Sequence, residues 1–83
     1  MKNYIQSEVN TYTNGLSQKE CKVVEFLVME HLHNKTMPFD VIYYLQRRRT
    51  VENEDIAEIV DELSENEQGR VLESFGRYMK NEI

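Results

Sequence analysis

The chain has 83 residues, with 10 Lys and Arg against 15 Asp and Glu, for a formal net charge of −5. That length holds one domain, and 22 Leu, Ile, Val and Phe are enough for a small core, above the roughly 20% at which disorder becomes the default. The longest strictly apolar run, Val41 to Leu45, falls far short of the ~20 residues that span a bilayer, and a lone cysteine excludes an internal disulfide.

Residues 1–83 are read as a single helical domain. In the first segment, Asn3 to Thr13, Ile5, Val9, Tyr12 and Leu16 recur at helical spacing. Asn14-Gly15 then supplies two residues that tolerate a left-handed stop. Met1 to Glu8 contains no apolar signal-peptide core, which together with the lone Cys21 predicts a reduced, cytoplasmic setting.

Ser17-Gln18-Lys19-Glu20 is a capping box and opens the second segment, which is expected to run to about His33. Cys21, Val24, Leu27, Val28, His31 and Leu32 share one face of it, and Phe26 and Met29 lie on the other. A helix apolar over most of its circumference belongs between other helices. His31 falls in the middle of the apolar face and is read as a core histidine. Cys21 is read as a small buried hydrophobe.

Pro38 marks the first turn of the third segment, where its missing N–H costs nothing. Here Phe39, Ile42, Leu45 and Gln46 are expected to face inward, with Asp40, Tyr44, Arg47 and Arg48 outward. The fourth segment begins after Thr50 or Asn53, and Ile56, Ala57, Ile59, Val60 and Leu63 make its apolar face. A second capping box, Ser64-Glu65-Asn66-Glu67, opens the fifth, with a stripe of Val71, Leu72, Phe75, Tyr78 and Met79. The pattern predicts an all-α fold, a compact bundle of four to five short helices.

Catalytic chemistry is hard to build from these residues. No phosphate-binding glycine loop, nucleophile elbow or metal-binding His pair occurs, and His31 and His33 lie on opposite helix faces. The sequence therefore predicts a non-enzymatic protein with no cofactor and no metal. Its Lys, Asn, Glu, Ile and Tyr usage resembles that of small chains from AT-rich bacterial or phage genomes, and a regulatory or phage-related role is expected.

Three surface features carry the functional expectation. Glu52 to Glu67 holds eight acids and no base, and Glu54, Glu58, Asp61 and Glu65 line up opposite the apolar face, as a docking surface for a protein partner. Gly69 and Gly76, seven residues apart, flank Leu72 and Met79. Each glycine inside a helix costs about 0.8–1 kcal/mol against alanine, so this flank is expected to receive a partner or a second copy of the chain. Tyr44 with Arg47, Arg48 and Arg49 is the only basic cluster. Arginines in a last turn satisfy the helix dipole, and a pI near 5.0 argues against nucleic acid. Asp55 to Val60 resembles the first helix of a helix-turn-helix, but no glycine follows at the turn. Glu65-Asn66-Glu67 would also lead the reading helix with carboxylates. The expected function is a cytoplasmic protein-interaction module, with a nucleic-acid-binding domain using Arg47 to Arg49, or a purely structural homodimer, as alternatives.

Overall fold

Two serines start two of the helices. Ser17 Oγ accepts the Glu20 N–H at 3.2 Å, while the Glu20 carboxylate accepts the Ser17 N–H at 2.8 Å. Ser64 and Glu67 repeat the exchange at 3.2 and 2.7 Å. Both predicted capping boxes are therefore formed, each satisfying two amides that a helix start leaves without partners.

A computed structural model of the chain describes residues 12–47 and 54–82. Among the described residues there are four helices and no strand: α1 (Gln18–Asn34), α2 (Pro38–Arg47), α3 (Glu54–Glu62) and α4 (Glu65–Glu82). The expected all-α bundle is the fold. Most of the first predicted segment lies outside the described residues. Its end is seen: Tyr12 and Thr13 are helical, and Gly15 takes a positive φ of 92°. That conformation is open to glycine at no steric cost.

The central helix is α1, which touches each of the other three. Val23, Val24, Leu27 and Val28 are its fully buried seam, with Phe26 and Leu32 packed on the margin. Ala57 and Leu63 from the α3 region, and Val71, Phe75 and Tyr78 from α4, close on that seam. Ile56, Ile59 and Val60 pack at its edge, as their spacing predicts. The segment before α1 is tied to α4: Ser74 Oγ donates to the Tyr12 carbonyl, and the Tyr12 and Tyr78 rings meet edge to face at 5.6 Å, the arrangement that ring quadrupoles favour.

Three inward assignments are corrected. On α2 Leu45 is buried and Ile42 packs half-buried against the core, as expected, but the second buried residue is Val41 and Phe39 is 87% exposed. The predicted seam was rotated by about one residue, because α2 rests on α1 through the i, i+4 pair Val41/Leu45 and Phe39 stands 200° away from Val41. His31 is half-buried and lies outside the core. Its Nδ1 is 2.8 Å from the Thr36 carbonyl, which can only accept, so the ring donates and pins the turn into α2. Cys21 is likewise half-buried, its thiol directed at the Thr13 and Leu16 carbonyls. The Gln46 side chain lies outside the described residues.

Lys35 ends α1 in the left-handed region (φ 53°), with its N–H on the His31 carbonyl at 2.8 Å. A side chain is strained there and glycine is not. Lys35→Gly is expected to raise the unfolding free energy by about 0.5–1 kcal/mol in urea denaturation; a loss of stability would show that the lysine side chain contributes more than the strain removes.

Candidate functional site

Helix α2 is short and rests mainly on α1. Its core pair, Val41 and Leu45, turns Phe39 and Ile42 toward α4 across a gap. On α4 the core residues Val71, Phe75 and Tyr78 leave Leu72, Gly76 and Met79 on the neighbouring flank. The result is a groove of about 530 Å³ lined by Pro38, Phe39, Ile42, Leu72, Phe75, Gly76 and Met79. Among the described residues no charged side chain lines it. Phe39 forms one rim at 87% exposure and Leu72 the other at 48%. A smaller apolar cleft of about 80 Å³ begins where Ile42 and Leu72 meet and reaches inward to Leu27.

Gly76 sits in the α4 wall. A Cβ built there would have no neighbour within 4 Å, and the same holds at exposed Gly69. Close packing of Gly76 on α1 within one chain, the plain structural reason for the glycine, is thereby removed. Of the predicted flank residues, Leu72, Gly76 and Met79 come together in the groove, and Gly69 lies outside its lining.

The acidic face forms separately. Glu54, Glu58, Asp61 and Glu65 are all exposed, on the side of α3 and the start of α4 that faces away from the core. Glu62, beside them, holds Lys19 of α1 at 2.7 Å. The Glu62 carboxylate raises the pKa of the Lys19 ammonium above its ordinary value by hydrogen bonding and charge. Both side chains are solvent-exposed, so the pair contributes little to stability. Of the basic cluster, Tyr44 is half-buried on α2. The Arg47 side chain, Arg48 and Arg49 lie outside the described residues.

Two features are not legible in the sequence pattern. Helical spacing assigns Phe39 to the core, because α2 presents two neighbouring apolar seams and only the docking on α1 selects between them. Glu20 was read as a cap, yet its side chain is also 1% exposed and receives a 2.7 Å hydrogen bond from Arg70 of α4. Burial pushes the Glu20 pKa up; the Ser17 N–H and the Arg70 guanidinium outweigh it and hold the carboxyl below its ordinary range. Among the described residues no group of three or more His, Cys, Asp and Glu converges as a metal site, and no helix is long and apolar enough to cross a membrane. No family model, curated protein or solved structure matches the chain.

Proposed function

We propose that this chain is a small, non-enzymatic, cytoplasmic protein-interaction module of regulatory character, which meets other proteins through the apolar flank of α4 and the acidic face of α3. The observation that carries the reading is the exposed groove, and above all Phe39. A bare phenylalanine beside an open apolar groove leaves in water the kind of aromatic anchor that dominates protein interfaces. A contiguous apolar patch rimmed by polar residues marks an interaction surface more often than chance exposure of single side chains. The acidic face supports the reading as a steering element, since surface charge of one sign accelerates encounter with an oppositely charged partner.

Photo-crosslinking inside the native cell tests this. A photoreactive phenylalanine analogue at position 39 or at position 58 is expected to give discrete protein adducts. Charge reversal by Asp61→Lys with Glu65→Lys is expected to remove the adduct formed from position 58. Absence of any protein adduct from both positions would overturn the reading.

A further inference from the structure

We infer that the groove is occupied by a second copy of this chain, in a twofold dimer where Phe39 of each protomer enters the groove of the other beside Gly76. This rests on the reading of the groove as a contact surface and names its occupant.

Shape is the first reason for a copy over an unlike partner. The projecting side chain and the recess belong to one face. Phe39 stands on the α2 rim at 87% exposure, and across the groove Gly76 leaves open space where a Cβ would stand. A twofold axis through such a face carries each projection to the opposite recess, so a single complementary contact is made twice.

Charge is the second. The chain carries −5, and two copies repel wherever their acidic surfaces approach. Among the described residues no charged one lines the groove, so a dimer formed here brings no like charges of theirs into its centre. Both acidic α3 faces stay outside the contact, available to a third protein.

Area is the third. Tyr43, 59% exposed and one turn after Phe39, extends its apolar surface along α2, and Leu72 extends it on α4. At about 200 Å² for a large side chain, Phe39, Tyr43 and Leu72 leave roughly 400 Å² in water on each copy. Pairing two copies buries roughly 800 Å² from these three alone, and the half-buried groove lining and polar rims bring the contact to the ~1,000 Å² of a specific interface. Gly76 also gains a reason, since a bare position in the α4 wall admits an incoming side chain.

Light scattering behind size exclusion, between roughly 1 and 100 µM, is expected to give the mass of two chains. Phe39→Ser removes an exposed side chain and Gly76→Leu fills an open space, so both variants are expected to keep the helical circular dichroism of the parent. Each is expected to raise the dimer dissociation constant about a hundredfold or more, because a symmetric contact counts the side chain twice. A single-chain mass for the parent over the whole range overturns the dimer; the crosslinks from positions 39 and 58 then report separately whether the chain is an interaction module at all. A dimer that survives both substitutions also overturns it, since the copies then meet on another surface.

Discussion

Arg70→Ala is expected to lower the unfolding free energy at pH 7 by about 2–3 kcal/mol, and Glu20→Gln by only about 1 kcal/mol. The two partners of this ion pair stand in different media. The Glu20 side chain is 1% exposed, whereas Arg70 is 51% exposed. Removing Arg70 strands a carboxylate in a dry site, where Ser17 alone among the described residues remains to satisfy it. Loss of one partner from a fully buried pair costs about 3–5 kcal/mol; the solvated guanidinium discounts that. Glu20→Gln instead leaves an amide of the same shape, still able to accept the Ser17 N–H, and returns Arg70 to water.

The pH dependence carries the same signature. With its folded pKa held below the ordinary value of about 4.5, Glu20 contributes its stability fully above that value and loses it as pH falls through the depressed folded pKa. Urea midpoints of the parent are thus expected to drop on acidification below pH ~4.5. The gap between the parent and Arg70→Ala should narrow there, because a protonated Glu20 no longer requires the cation. Equal stability of the two at pH 7 would show that Glu20 is already satisfied without Arg70.

Leu27→Ala should be the most damaging of the substitutions considered, by about 3–4 kcal/mol. Leu27 is 2% exposed at the middle of α1 and also borders the small inner cleft. Its truncation enlarges a space that already exists, so collapse around it recovers little. A domain of this length has on the order of 4–12 kcal/mol to lose, and a melting temperature lower by about 15–25 °C is expected. Phe39→Ser, measured below the dimer dissociation constant, is expected to change stability by less than about 0.5 kcal/mol. The larger residue therefore matters less to the monomer. A large loss in Phe39→Ser at that dilution would restore Phe39 to the core.

Much of the fold was legible because its signals act within one helical turn. The boxes Ser17/Glu20 and Ser64/Glu67 are contacts three residues long, and each set the start of its helix correctly. Gly15 was expected in a left-handed stop and has a positive φ. The seams of α3 and α4 were also read correctly, since each offered one apolar stripe: Val71, Phe75 and Tyr78 went inward, and Leu72 was left on the outer flank.

The candidate site depended on contacts that local pattern does not encode. In α2, Phe39, Ile42 and Leu45 made one plausible inward set, and Val41 with Leu45 another. Helical period alone ranks them equally, so docking against α1 decided which apolar residue became a rim. Glu20 carried the signature of an exposed cap until an arginine fifty residues later in the chain met it across the α1–α4 contact. Gly76 announces a close approach, but only the packed bundle shows that no helix among the described residues makes it. Local pattern fixes the capped helix starts and the stripes of α3 and α4, because backbone hydrogen bonding and capping close within a few residues. Tertiary structure decided which apolar groups remain in water and which charge is buried, because those follow from how helices distant in the chain share one small core.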